Sequence, residues 1–141
     1  MNPPDYGEPL TLDDARRVVE AAEAESRRRG WAMVIAVLDS AGHLVVLHRM
    51  DQAQYGSIEL AQAKARTAVH FKRPTRMFED TLAAGGLGLR LLSGDFCLFE
   101  GGLPLLRDGK LVGGIGVSGA RSEYDGQVAA IGAAALLASC P

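Results

Sequence analysis

Cysteine is scarce. The 141 residues hold two, Cys97 and Cys140, too far apart in sequence to form a disulfide framework or a thiolate metal cluster. Long apolar runs are missing as well. The longest, such as Met33 to Leu38, falls well short of the ~20 residues a bilayer-spanning helix requires, so no membrane partner is expected. Basic clustering is confined to Arg27-Arg28-Arg29, and the formal net charge is −2; neither suits a nucleic-acid partner. Residues 1–9 carry no basic side chain and no apolar core, so they do not read as an export signal. No two histidines share helical metal-ligand spacing, and no G-x-S-x-G motif is present. These exclusions leave one soluble domain, expected to reside in the cytoplasm and to hold no metal cluster.

What is present is a chain 48% hydrophobic with seventeen glycines. Pro3, Pro4, Gly7 and Pro9 make residues 1–9 a flexible arm ahead of a single domain spanning 10–141. Thr11 with Asp14 three residues on opens a helix that carries Val18, Val19 and Ala22 on one side and ends at Gly30. Trp31–Leu38 reads as a strand covered on both faces, and Leu44–Met50 as its hairpin partner across Asp39-Ser40-Ala41-Gly42. A helix over 57–71 with Ser57 as cap follows, then a short helix from Pro74-Thr75 to Gly85-Gly86, and a glycine-rich loop to Asp95. Phe96–Glu100, Leu103–Arg107 and Lys110–Ser118 read as three more strands, the last two joined by Asp108-Gly109. Ser122 with Asp125 caps a last helix running to about Ser139. Strands without βαβ alternation predict an α+β fold with a largely antiparallel sheet and helices packed on it.

Four features could carry chemistry. On a wheel of the 57–71 helix, Lys64 falls at about 40° from Leu60, inside the apolar half. An ammonium there must be ion-paired, snorkel out along its stem, or line a pocket as an anion binder or base. Glycines crowd the late strands at 101, 102, 113, 114, 116 and 119; each marks close approach to the backbone, by a packed helix or by a ligand. Gly119 to Ser122, just after Ser118, also leads into a helix N-terminus, whose free amides favour an anion. Arg49 ends a strand, where it could clamp a carboxylate or pair with Asp51 or Asp39. Of the histidines, His43 and His70 read as solvated. His48 alternates with Val46 and Met50, and is the candidate if an imidazole ligand is needed. Cys97, between Phe96 and Leu98, reads as a small core residue.

The segments MVIAVLDSAGHLVVLHRMD, SIELAQAKARTAVHFKRPT, GGLPLLRDGKLVGGIGVSG and SEYDGQ resemble the GlcG/HbpS-like haem-binding family, which includes the C-terminal domain of PduO-type corrinoid adenosyltransferases. The resemblance covers residues 10 to 138. It implies a profilin-like domain with a five-stranded antiparallel sheet, assembly into homo-oligomers, and haem as the candidate cofactor.

Three readings follow. The first is a small-molecule-binding protein that holds haem or another anionic ligand, with Lys64, Arg49, Gly101, Gly102, Ser118 and Gly119 lining the site and His48 as candidate iron ligand. Its weak point is the 6% aromatic content and the lack of an axial donor fixed by any motif. The second is an isomerase, tautomerase or hydrolase acting on an anionic metabolite, with Lys64 and Arg49 catalytic. The third is an assembly component in which the glycines serve helix packing and Lys64 is ion-paired.

Overall fold

The computed structural model describes residues 2–138; Cys140 and the expected helix end at Ser139 lie outside them. The element order is α1 (Leu12–Arg29), β1 (Val34–Asp39), β2 (Leu44–Arg49), α2 (Gly56–Phe71), α3 (Thr75–Ala83), a 3-10 helix (Gly86–Ser93), β3 (Gly102–Arg107), β4 (Lys110–Ser118) and α4 (Ser122–Ala138). The strands form one antiparallel sheet in the order β2-β1-β4-β3.

The sheet therefore has four strands, not five. Phe96–Glu100 is irregular. Its backbone leaves the sheet because Cys97 N–H bonds to Thr67 Oγ1 on α2 at 2.9 Å, and Gly101, at φ +133°, turns the chain before β3. The apolar residues that looked like a strand instead face α2 and α3.

Local chemistry sets most boundaries. At the start of α1 the Thr11 hydroxyl accepts from Asp14 N–H while the Asp14 carboxylate accepts from Thr11 N–H, a reciprocal capping box. Gly30 closes the helix at φ +75°. The Asp39 carboxylate accepts from Ala41 and His43 N–H and shapes the β1–β2 turn. Asp108 and Gly109 both adopt positive φ, 53° and 75°, the conformation a two-residue hairpin with right-twisted strands requires.

Two expected caps are absent. Ser57 lies inside α2, buried, its hydroxyl 2.9 Å from Ser118 Oγ, because the helix begins one residue earlier. Ser122 is the first residue of α4 rather than its cap, and Asp125 turns its carboxylate back to Ala120 N–H.

Three layers result. Met33, Ile35 and Val37 of the β1 segment join Val18, Val19, Ala22, Val128 and Ala129 on the α1/α4 side. Val34, Ala36 and Leu38 meet Ala61 and Ala65 of α2 on the other. The β1 strand is thus buried on both faces, as its unbroken apolar run predicts. The glycines of β3 and β4 bring α2 close. A Cβ on Gly116 would collide with Ala61 O and lie 2.7 Å from Ala65 N, and one on Gly102 would lie 2.7 Å from the carbonyl carbon of Lys64. Of the two readings of these glycines, the packed helix is the one the structure displays. Ahead of α1, Asp5 O accepts from Leu111 N–H, and Leu111 O from Gly7 N–H, so residues 5–7 lie alongside β4.

Candidate functional site

Lys64 occupies the apolar half of α2, where the wheel places it, and is 1% exposed. Its ammonium donates to Asp125 Oδ2 and to Val117 O, both at 2.9 Å. Asp125 Oδ1 in turn accepts from Ala120 N–H. Burial pushes the Asp125 carboxyl above its ordinary pKa, while Lys64 pulls the other way. Among the alternatives for Lys64 the observed one is the ion pair. It stitches α2 to α4 around the end of β4 and holds Gly101 against the Val117 carbonyl. Gly101, Gly102, Ser118 and Gly119 gather around this pair and pack against protein: Thr75 Oγ1 accepts from Gly102 N–H at 2.9 Å, and Ser118 meets Ser57.

Arg49 stands apart from that group, exposed at the end of β2. No ion pair joins it to Asp51 or Asp39 among the described residues. His48 faces α1, its Nδ1 2.8 Å from Glu23 Oε1, on the side of the sheet opposite α2.

The principal cavity, about 690 Å³, opens between α2, α3 and the irregular segment 95–99. That volume lies within the ~300–1,000 Å³ typical of small-molecule sites. Leu60, Ala63 and Phe71 from α2, Leu82 and Ala83 from α3, and Leu92, Phe96, Leu98 and Phe99 supply apolar wall. Phe71, Phe78 and Phe96 brace one another, with centroids 4.9 Å apart for Phe71–Phe96 and 5.8 Å for the two pairs involving Phe78. Arg66 and His70, one turn apart on α2, bring a cation and an imidazole to the same wall. Arg66 has no ion-pair partner among the described residues. Cys97 also lines the cavity; burial raises its thiol above the usual value. No group of three or more His, Cys, Asp or Glu is placed to hold a metal ion among the described residues.

The cavity draws on residues the sequence left aside. His70 lies on the polar half of α2, and Phe96–Phe99 read as strand. The signal that could have found it was the apolar content of 87–99 in a stretch too rich in glycine for a regular element.

Comparison with known proteins adds the following. The family model described as haem degrading protein HbpS-like matches residues 10–134. The protein GlcG of Escherichia coli K12 is 35% identical over 109 residues, covering 77% of this chain and 81% of GlcG. The corrinoid adenosyltransferase PduO of Salmonella typhimurium is 35% identical over 130 residues, which are 90% of this chain but 39% of that protein. Among solved structures, a PduOC:heme complex superposes with TM-score 0.81 at 35% identity, over 90% of this chain and 94% of that one. A double mutant of Streptomyces reticuli HbpS superposes with TM-score 0.82 at 34% identity, over 91% and 87%.

Proposed function

The chain belongs to the HbpS-like family, and from that premise we propose that it binds haem, or a similarly flat anionic tetrapyrrole, in the cavity between α2 and α3. The observation that carries the proposal is that one cavity of about 690 Å³ combines an aromatic and aliphatic wall with an imidazole, His70, and an unpaired guanidinium, Arg66. A porphyrin needs apolar faces for its ring, a donor for its iron, and a cation for its propionates. Residues of all three kinds are present. A low aromatic total is no obstacle, since three of the chain's four phenylalanines line this wall. The PduOC structure, solved with haem, supports the same reading.

Haemin titration of the full-length protein tests it. A saturable one-to-one Soret band is expected, lost or strongly shifted in His70→Ala and weakened in Arg66→Gln, with His48→Ala unchanged. If His48→Ala removes the band and His70→Ala does not, the ligand sits at the α1–β2 surface and the cavity assignment fails.

We read the chain as forming homo-oligomers as well. Leu87 and Leu92 are 75% and 65% exposed, and Phe99 56%; large apolar side chains left this exposed suit burial against another copy of the chain. Light scattering of the purified protein distinguishes an oligomer from a monomer.

A further inference from the structure

A second hollow, about 510 Å³, lies at the end of the sheet where α1 stops and α4 starts. Its walls include Trp31, Tyr124, Gln52, Gln54, Gly119 and Arg121. Gly119 allows the floor to close: a Cβ there would lie 3.0 Å from Met33 Cα and would strike Ala32 O. The two aromatic rings are stacked, centroids 4.8 Å apart and 16° from parallel. Arg29 lies over Trp31 at 5.1 Å and Arg121 over Tyr124 at 5.6 Å. Trp31 and Tyr124 both line the hollow, so the stacked pair supplies it with an aromatic wall.

Gln52 is the residue the fold does not explain. Ala53 N–H bonds to Met50 O, and Gln52, third in that turn, is held at φ +68°, a position that favours glycine or asparagine. Its amide makes no hydrogen bond among the described residues. Gln52 is exposed at the wall of the hollow, so its amide is free to reach a molecule held there. Arg121 is paired to Glu123 at 3.2 Å, but its side chain is 74% exposed, so the pair is weak and the guanidinium can turn inward.

We propose that this hollow is a second small-molecule site, separate from the haem cavity, and that it takes a planar aromatic carboxylate. The ligand's ring packs against the Trp31–Tyr124 wall, its carboxylate meets Arg121 once that guanidinium swings in from Tyr124, and Gln52 hydrogen-bonds the carboxylate's free edge.

Trp31 is the one tryptophan in the chain, so its fluorescence reports on this wall directly. Three probes separate the contributions: benzoate, benzamide, which keeps the ring without the charge, and cyclohexanecarboxylate, which keeps the charge without the aromatic face. Benzoate is expected to change Trp31 emission saturably, with both analogues at least about tenfold weaker. Arg121→Gln should weaken benzoate about tenfold, Gln52→Gly should weaken it while raising stability, and His70→Ala should leave it unaltered. No response to benzoate, equal response to all three probes, or indifference to both Arg121→Gln and Gln52→Gly would overturn the assignment. Haem binding is read separately in the Soret region, so failure of either site leaves the other result standing.

Discussion

Lys64 Nζ and Asp125 Oδ2 lie 2.9 Å apart with their side chains 1% and 3% exposed, a fully interior ion pair that joins helices on opposite faces of the sheet. Its geometry is completed by the Val117 carbonyl on one side and the Ala120 amide on the other. Removing one partner strands a buried charge, which typically costs about 3–5 kcal/mol. Lys64→Ala should therefore lower stability by that order in urea unfolding, whereas Lys64→Met combined with Asp125→Asn should recover most of it. Because burial already pushes the Asp125 carboxyl up, the Lys64→Ala penalty should shrink as the pH falls and the carboxyl takes a proton. A Lys64→Ala change under about 1 kcal/mol would show the pair to be solvated instead.

Asp14 is a second tie, between α1 and the end of β3. Arg107 donates to it through Nη1 and Nη2 at 3.2 and 2.9 Å, and Arg17 donates as well. The Arg107 hydrogen bonds, outweighing burial, hold its carboxyl at about 2 against an ordinary 3.8. A lowered folded-state pKa means the stabilisation is complete above 3.8 and disappears as the pH falls to 2. Both arginines are part-exposed, so the contribution at neutral pH is about 1–2 kcal/mol. Asp14→Asn should show that deficit at neutral pH and close it near pH 2. An equal deficit at both would mean the loss is packing or capping, not charge.

Those two ties show where the sequence was legible. The capping box at Thr11 and Asp14, the Asp108-Gly109 turn and the doubly covered β1 each depend on residues adjacent in the chain, so spacing alone exposed them. Lys64 was visible as a charge in an apolar stripe, but its partner lies 61 residues away, beyond any local pattern. Phe96–Glu100 misled for the opposite reason. An apolar run has the same appearance whether it fills a sheet or walls a cavity, and only Thr67 capturing Cys97 N–H decides between them. The cavity went unseen because His70 and Arg66 sit on the polar half of α2, where side chains ordinarily meet water.

Two glycines separate crowding from backbone conformation. Gly116 lies beneath α2, and an added methyl would meet the fixed backbone atoms Ala61 O and Ala65 N. Gly116→Ala should cost about 3 kcal/mol or more, since neither atom belongs to a side chain that can move. Gly30 has open space around it but φ +75°, so Gly30→Ala should cost only about 1 kcal/mol. Urea midpoints of the two variants rank the effects; reversal of that order would mean α2 is not pinned against β4 as described.

Cys97 offers a test of the cavity that does not depend on iron. Cys97 is 8% exposed, and burial pushes its thiol above the ordinary range, so little thiolate is present at neutral pH and reaction with a disulfide reagent should be slow. With Cys140→Ser leaving a single thiol, the labelling rate should rise steadily between pH 7 and 9, following the thiolate fraction. Because Cys97 shares the wall with Phe96 and Leu98, haemin at ten times its Kd should slow labelling about tenfold. Zinc protoporphyrin, which keeps the ring and propionates without iron, should protect in the same direction. If haemin binds with a full Soret band yet leaves the Cys97 rate untouched, the tetrapyrrole lies elsewhere, and the space between α2 and α3 serves another guest.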